Sequence, residues 1–325
     1  MQPGLLGAQV PSVSVVVRSY KRHASLLRIL DVLSAQDHPD YEVIVMEQSG
    51  FDAAQRAPLD ALSRRDPRMR VIYSEPLGVG GARDAGWRLA TKEIVLAIDD
   101  DDLPVGRDFV SKHARNYLDP TIVAVTGRHV YSLEERCGYG RRKSALKRCL
   151  SYNFFGYPHV YCRLDQRVER VQWVHGSNGS VRKSVIERVG GWDPKSVDHD
   201  EHPFCLPLQK QLRPGERLVF DPSVVLLRRK DIPGGANVRF GGPRLVYQMW
   251  FRYYHGLVRR HLTGRFYALY PIYPLASAFS ATRWIWTDSM MHRGVAHRLA
   301  DTVRTVVGSP FWYVQELRAL ARRAA

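Results

Sequence analysis

Apolar runs alternate with helical patterns over the first hundred residues, and this alternation limits the fold more than any other feature of the chain. Four short runs rich in β-branched residues predict buried strands, at 12–17, 41–46, 69–73 and 93–98. Apolar residues at three-to-four spacing predict helices at 24–35 and 82–90, the second entered through Gly80 and Gly81. This order predicts a parallel sheet with right-handed crossovers, which binds ligands beyond the carboxyl ends of its strands.

The rest of the chain is predicted to extend this sheet and then to become helical. The extension contains strands at 121–131 and 217–229, and helices near 106–117, at 180–193 and at 202–212. Gly190 and Gly191 are expected to stop the helix at 180–193, and Pro207 to interrupt the next one. A Gly/Pro-rich segment then precedes an aromatic, arginine-rich, helix-like tail. We therefore predict two domains, 1–232 and 233–325.

Charge is unevenly distributed along the 325 residues. The whole chain has 48 Lys and Arg against 32 Asp and Glu, a net charge of +16. Residues 1–110 have 13 against 16, whereas residues 111–325 have 35 against 16. Such a basic surface suits an anionic membrane, a phosphorylated ligand or nucleic acid, and a merely soluble basic surface is the alternative.

The cysteines and the apolar runs indicate the compartment. Four widely spaced cysteines form no C-x-x-C pair: Cys137, Cys149, Cys162 and Cys205. This spacing argues against a zinc site or a disulfide framework and fits a reducing compartment. Residues 1–12 do not have the pattern of a signal peptide, and no run of eighteen apolar residues predicts a spanning helix.

Four consecutive aspartates, Asp99 to Asp102, follow the predicted strand at 93–98 and are the strongest signal of chemistry. Adjacent carboxylates repel one another, and a divalent cation removes that penalty. Mg²⁺ or Mn²⁺ takes one or two of them and leaves other positions to diphosphate oxygens. The alternative is an acidic loop that caps the next helix.

Weaker signals follow the other strands. The glycines of GVGGARDAG (78–86) would let the backbone approach a ligand, and Arg83 would meet a phosphate or hold the aspartate loop. A plain helix start is equally consistent with this segment. Tyr20 and Arg22 follow the first strand, where an aromatic ring can pack on a base or cap the core. Glu47 and Gln48 end the second strand, where a carboxylate can accept the imide proton of a uracil or thymine ring.

A charged segment at 198–202 supplies a candidate general base. It contains Asp198, His199, Asp200, Glu201 and His202, without the spacing of a known zinc-binding helix. A carboxylate that takes the proton of an attacking hydroxyl is the favoured interpretation. The alternative is a helix N-terminus whose dipole favours acidic residues.

These motifs, in this order, resemble those of glycosyltransferase family 2, whose members have the GT-A fold. The resemblance covers about residues 12 to 230. The matching segments are RSYKR (18–22), MEQSG (46–50), GVGGARDAG (78–86), IDDDD (98–102), GSN (176–178), GGWD (190–193) and DEHPFCL (200–206).

The resemblance implies an inverting, metal-dependent glycosyltransferase of the hexosyltransferase type. Its fold would be α/β, a Rossmann-like GT-A arrangement with a mixed, mainly parallel sheet flanked by helices, and a C-terminal helical appendage. Residues 1–232 would form the catalytic domain, with a donor half at about 12–110 and an acceptor half at about 111–232.

The resemblance also implies roles for individual residues. Asp101 and Asp99 would hold Mg²⁺ or Mn²⁺ across the diphosphate, and Glu201, with Asp200 beside it, would be the general base. The expected nucleotide-sugar-binding residues are Ser19, Tyr20, Arg22, Glu47, Gln48, Arg83, Asp99 and Asp100, and the acceptor side is expected at Gly176, Asn178 and Trp192.

The implied partners are small molecules and lipid. The donor is expected to be a nucleoside-diphosphate-sugar, with a UDP-sugar as the first choice, and the acceptor a saccharide or a lipid-linked one. Cell-surface polysaccharide or glycolipid synthesis would use such a reaction at the cytoplasmic face of the membrane. No nucleic-acid partner is expected.

Several positions depart from the family pattern. Arginine replaces the usual proline at Arg18, lysine and aspartate replace asparagine at Lys21 and Asp84, and the segment at 46–50 has one carboxylate fewer. Many relatives have a metal-binding histidine after the last strand. The corresponding LLRRKD (226–231) leads us to expect that arginine or lysine neutralises the leaving diphosphate.

The tail is predicted to dock on the cytoplasmic membrane face. From Lys230 onward it has 14 Lys and Arg against 4 Asp and Glu, interleaved with aromatic stretches at 249–262 and 266–286. Aromatic and basic residues together suit the headgroup region. The alternative is that these helices pack under the first domain or form a homodimer interface.

Three rival functions agree less well with the motifs. A sugar-1-phosphate nucleotidyltransferase would need a glycine-rich basic loop after the first strand, and RSYKRHAS (18–25) has no glycine. A basic membrane- or nucleic-acid-binding protein would leave the aspartate run unexplained, since four carboxylates repel phosphates. The third is a protein that binds a sugar nucleotide without catalysis, which the departures from the family pattern at 46–50 and after the last strand would allow.

Overall fold

The computed structural model describes residues 10–132, 149–152, 158–159, 165–196, 199–229, 242–261, 268–287 and 294–324. The chain forms two compact units, residues 1–235 and residues 236–325. The assignment of a donor half and an acceptor half within the first domain stays a prediction.

The first unit begins with alternating strands and helices: β1 (Val13–Ser19), α1 (His23–Ser34), β2 (Tyr41–Glu47), α2 (Ala53–Arg65), β3 (Met69–Tyr73), α3 (Gly78–Leu89) and β4 (Ile94–Asp99). It continues with β5 (Asp102–Pro104), α4 (Phe109–Asn116), β6 (Ile122–Val130), β7 (Ser151–Tyr152), β8 (Pro158–His159), β9 (Val168–Val171), β10 (Gly179–Arg182), α5 (Lys183–Val189), α6 (Glu201–Lys210) and β11 (Arg217–Arg228).

A mixed sheet forms the centre of this unit. Its strand order is β3-β2-β1-β4-β10-β6-β11-β5, with β9 also paired to β11. Strands β3, β2, β1 and β4 are parallel, whereas β10 is antiparallel to both β4 and β6. The predicted α/β class with a mixed sheet is therefore confirmed. The register pairs Arg18 with Asp99 and Ser19 with Glu47, so the carboxyl ends of β1, β2 and β4 share one edge.

Helices cover both faces of the parallel half of the sheet. Val15 and Val17 of β1 pack in one buried cluster with leucines of α1, while the intervening Val16 packs in a second cluster with Trp87 of α3. This follows from the alternation of side chains along a strand. A Cβ at Gly86 would lie 2.3 Å from Val16, so glycine lets α3 pack directly on β1.

Two predicted helices have different bounds in the structure. Residues 180–182, expected to be helical, belong to β10, because that strand pairs with β4 and β6 and fills the space between them. The helix that follows ends at Gly190 in the left-handed conformation, as expected from its position. Helix α3 begins at Gly78, so Gly80 and Gly81 lie inside it and not before it.

The second unit consists of α7 (Pro243–His261), a 3₁₀ turn at Tyr270–Ile272, α8 (Tyr273–Thr287) and α9 (Val295–Ala324). Among the described residues, no helix combines the length and the apolar character that crossing a membrane requires. Aromatic side chains of α7 form the core of this unit, including Trp250 and Phe251 at 2% and 1% exposure. The expectation that aromatics meet lipid headgroups is corrected for these buried rings of α7, which pack within the unit on residues of α8 and α9, and docking of the tail stays a prediction.

Candidate active site

Four arginines neutralise the four aspartates that run from the end of β4 to the start of β5. Arg18 of β1 donates two hydrogen bonds to Asp99, at 2.6 and 2.7 Å. Arg22, which precedes α1, lies 2.9 Å from Asp100 and 2.7 Å from Asp101. Each carboxylate therefore has a cation close by, and charge repulsion within the run is reduced.

Asp100 and Asp102 point into the protein. Asp100 accepts hydrogen bonds from the Ser19 hydroxyl and the Arg22 guanidinium, at 2.8 and 2.9 Å. Asp102 is fully buried and accepts two bonds from Arg228 of β11, at 3.0 and 2.9 Å. Arg228 also donates to the Ser177 hydroxyl at 2.7 Å. These two carboxylates fasten the loop to β1 and β11.

Asp99 and Asp101 remain partly open, with side chains 14% and 16% exposed. Asp99, Asp101 and Asp102 each offer an oxygen, and these atoms lie within 4.8 Å of one another. Carboxylate oxygens are the ligands that Mg²⁺ and Mn²⁺ prefer, so the donor set fits the expected ion. The structure thus brings together Asp99 and Asp101, the two residues predicted to bind metal.

The electrostatics of this loop differ from residue to residue. Burial raises the pKa of Asp101 to about 6, and the charges of Asp102 and Asp99 add to that rise. Burial likewise raises the pKa of Asp100 to about 6. At Asp99 burial opposes ionisation, but Arg18 and then Arg83 outweigh it and lower the pKa. Asp99 therefore stays ionised, and a bound cation would favour the ionised form of Asp101.

Arg83 of α3 joins the aspartate loop to the segment that precedes α6. Its Nη1 lies 2.7 Å from an Asp200 oxygen and its Nη2 lies 3.3 Å from an Asp99 oxygen. Arg83 is only 3% exposed and Asp200 only 2%. A Cβ at Gly176 would lie 2.4 Å from Nη1, so a side chain there would displace the guanidinium from this position.

Asp200 and Glu201 have different surroundings although they are neighbours. Asp200 is held by Arg83, and burial is the main cause that raises its pKa. Glu201 begins α6 with a side chain 15% exposed, and its Oε1 lies 3.8 Å from His202 Nε2. Only Glu201 of the pair has an open side chain at this edge, as a base that meets a substrate requires.

His202 is a buried neutral imidazole behind Glu201. Its Nδ1 lies 2.9 Å from the Tyr152 hydroxyl, and its ring meets the Trp173 ring edge-on at 4.6 Å. Burial, with the nearby His199, lowers the His202 pKa well below its usual value. His199, Glu201 and His202 also offer ligand atoms within 4.8 Å of one another, although their spacing had favoured a base over a metal site. Asp198 lies outside the described residues.

The predicted nucleotide-binding residues at the ends of β1 and β2 are mostly buried. Glu47 accepts a hydrogen bond from the Ser49 amide at 2.8 Å, and Gln48 accepts one from the Leu77 amide at 2.8 Å. Tyr20 is half-buried at the sheet edge, beside Lys21. Glu47 and Gln48 therefore shape the loops around the edge, and Tyr20 is the most open of the three.

Of the three residues expected on the acceptor side, Gly176 lies against the Arg83 guanidinium, whereas the side chains of the other two are buried elsewhere in the first unit. Asn178 is completely buried, with its amide 3.1 Å from His113 Nε2 and 3.2 Å from the Arg128 carbonyl oxygen. Trp192 stacks on Phe204 at 4.2 Å and is 5% exposed. Both side chains lie within the framework of the first unit, and a role for them in acceptor binding stays a prediction.

Some residues of the site carried only a weak signal in the sequence. Arg18 was noted as a departure from the family pattern, and its contact with Asp99 follows from the pairing of β1 with β4. Ser177 and Tyr152 reach the site from segments without a regular pattern. Arg228 belongs to the stretch expected to replace a histidine, and the structure shows that it holds Asp102.

Comparison with known proteins agrees with this geometry. The sequence profile described as Glycosyl transferase family 2 matches residues 14–189, just over half of the chain. A glucosyl-dolichyl phosphate glucuronosyltransferase of Haloferax volcanii is 27% identical over 228 residues, 64% of this chain and 66% of that enzyme. The succinoglycan biosynthesis protein ExoO of Rhizobium meliloti is 33% identical over 95 residues, 29% of this chain and 26% of that protein.

A solved structure has the same fold. The mannosyltransferase PcManGT from Pyrobaculum calidifontis, in complex with GDP-Man and Mn²⁺, superposes with a TM-score of 0.58 at 18% identity. The superposition covers 97% of this chain and 87% of that one. With a profile match over more than half of its length, the chain belongs to glycosyl transferase family 2.

Proposed function

We propose that this protein transfers a sugar from a nucleoside-diphosphate-sugar to an acceptor hydroxyl, with inversion at the anomeric carbon. The observation that carries the proposal is the position of Arg83, whose guanidinium contacts both Asp99 and Asp200. One buried cation thus holds the candidate metal loop and the candidate base segment together. An inverting transfer needs these two groups on either side of one reacting carbon.

On the donor side, Asp101 and Asp99 would hold Mg²⁺ or Mn²⁺. A bound ion of this kind supplies positive charge that stabilises the leaving diphosphate. Tyr20 and Arg22, with Ser19, Glu47, Gln48, Arg83 and Asp100, would surround the nucleotide, for which UDP is our first choice. Arg228 is held by Asp102 and would add positive charge near the same oxygens.

On the acceptor side, Glu201 would take the proton of the attacking hydroxyl. The hydroxyl oxygen forms a bond to the anomeric carbon, the bond from that carbon to the diphosphate oxygen breaks, and the nucleoside diphosphate leaves with the electron pair. Attack from the opposite face converts an α-linked donor into a β product. Asp200 would act on Glu201 indirectly, by fixing the start of α6 through Arg83.

We also propose the setting of the reaction. The Haloferax relative is named for a dolichyl phosphate substrate and the Rhizobium relative for succinoglycan biosynthesis. A saccharide or lipid-linked acceptor, used in cell-surface polysaccharide or glycolipid synthesis at the cytoplasmic face of the membrane, is consistent with both names.

Replacing the base tests this function. A thermal-shift screen of nucleotide sugars with Mn²⁺ first identifies the donor, and nucleotide release then measures turnover. We expect Glu201→Gln to lower turnover by about a hundredfold or more while donor affinity stays unchanged. The matched control is Glu187→Gln, at an exposed glutamate of α5, which should keep full turnover. Full activity of Glu201→Gln would refute this assignment. If Asp200→Asn were inactive at the same time, Asp200 would be the base instead.

A further inference from the structure

Helix α9 carries a row of exposed apolar residues. Val295, Leu299, Val303, Val307 and Phe311 are between 53% and 73% exposed. Their spacing of four residues places them along one side of the helix. Helices of globular proteins normally bury an apolar side against another element. These five residues, the outer face of α9, have no such covering element among the described residues.

The opposite side of α9 is buried and carries polar residues. Asp301, Thr305, Ser309 and Glu316 are all between 0% and 9% exposed. Glu316 accepts hydrogen bonds from two side chains of α7, at 2.7 and 3.1 Å. Polar contacts therefore attach the helix to its own unit, together with ring contacts of Trp312 and Tyr313 on α7, and the exposed apolar row is directed away from them.

Helix α8 continues the apolar surface within the same unit. Leu275 and Phe279, one helical turn apart, are 72% and 68% exposed, and Trp286 is 38% exposed. A groove of about 610 Å³ adjoins the outer face of α9, and apolar atoms form most of its surface, including those of Val303, Val307 and Trp312. Exposed apolar surface on two helices and a groove is more than scattered surface residues explain.

Charge identifies what would cover this surface. In the described part of the second unit the only two carboxylate side chains, Asp301 and Glu316, are buried. Its exposed arginines include Arg244 and Arg304, which both line the groove, and Arg283 and Arg318. A second copy of this unit would bring like charges together, whereas an anionic membrane offers charge complementarity and hydrocarbon at once.

We propose that the outer face of α9, with the exposed side of α8, docks the protein on an anionic membrane surface. At 30 residues, α9 is about 45 Å long and would lie in the plane of the interface, its valines and Phe311 among the acyl chains. The exposed arginines would lie at the level of the headgroups. The proposal deepens the proposed function, since it places the enzyme where a lipid-linked acceptor would be found.

Vesicle flotation of the full chain tests the docking surface. We expect binding to vesicles of equimolar phosphatidylcholine and phosphatidylglycerol, weaker binding to phosphatidylcholine alone, and weakening by salt. Leu299→Ser/Val307→Ser/Phe311→Ser should weaken binding by about a hundredfold or more, because three exposed apolar side chains no longer enter the bilayer. Leu89→Ser, at an exposed leucine of the first unit, is the matched control and should bind as the wild type does.

Two further measurements separate the outcomes. The triple variant should keep its thermal stability and its Mn²⁺-dependent affinity for nucleoside diphosphate, so failure of docking is distinguishable from failure of the proposed function. Light scattering reports whether the surface instead joins two copies. Wild-type protein that stays off anionic vesicles, undiminished binding of the triple variant, or a dimer that the triple substitution dissociates would each overturn the proposal.

Discussion

Gly176→Ala should disable the site by displacing Arg83. The added Cβ would lie 2.4 Å from Arg83 Nη1, 3.1 Å from Nη2 and 3.2 Å from Cζ. Ordinary contact begins near 3.4 Å, so the guanidinium must move by about 1 Å. Arg83 is only 3% exposed, and both of its guanidinium contacts are with carboxylates of the site.

The size of the effect follows from the contacts that are lost. A shift of about 1 Å lengthens the 2.7 Å contact with Asp200 and the 3.3 Å contact with Asp99. A displacement of this size at a catalytic centre lowers turnover by about a hundredfold. Overpacking of a filled site costs about 1–3 kcal/mol of the free energy of unfolding, so the protein should still fold.

Steady-state turnover and thermal denaturation measure the two effects separately. Gly242→Ala is the control, since a Cβ at Gly242 meets nothing within 4 Å. If Gly176→Ala acts through Arg83, combining it with Arg83→Met should lower turnover little beyond Arg83→Met alone. Turnover of Gly176→Ala within twofold of wild type, or a fully additive double variant, would refute the role given to Arg83.

Two other predictions concern the same unit. The affinity for Mn²⁺ should fall by about tenfold per pH unit below pH 6, because burial raises the pKa of Asp101 to about 6 and a protonated carboxyl does not ligate the ion. Calorimetry across that pH range measures the affinity, and an affinity independent of pH would count against Asp101 as a ligand. Asn178→Ala should reduce the free energy of unfolding by about 1–3 kcal/mol, because it leaves buried partners at His113 and Arg128 unsatisfied. Thermal denaturation measures that loss, and a raised acceptor KM at full stability would instead support acceptor binding.

Long periodic segments were predictable from the sequence because one local pattern decides them. The strands at 41–46 and 69–73 agree with β2 and β3 to within a residue, since short apolar segments rich in β-branched residues favour strands over helices. Residues 180–182 were misassigned because their state depends on distant strands that no local pattern reveals. Helix α2 was overlooked, although the capping box of Asp52 and Gln55 marks its start.

The residues of the candidate site also fall into those that a local pattern predicts and those that depend on distant segments. The positions of Asp99 and Asp101 follow from a run of carboxylates after a buried strand, which is a local signal. The partners of those carboxylates come from elsewhere: Arg18 through strand pairing, Arg83 from a helix and Arg228 from the last strand. In the tail, composition indicated basic and aromatic character. Composition does not reveal which side of each helix is buried. The sequence therefore predicts Trp250 at the surface, where the structure buries it, and does not predict the exposed apolar side of α9.

Calorimetric titration of nucleoside diphosphate, with and without Mn²⁺, tests the central claim most directly, because it needs neither the sugar nor the acceptor. The account predicts binding that requires Mn²⁺ and is lost in Asp101→Asn, while Asp108→Asn, at a nearby aspartate outside the cluster, binds as the wild type does. Equal affinity in EDTA, or undiminished affinity of Asp101→Asn, would contradict it.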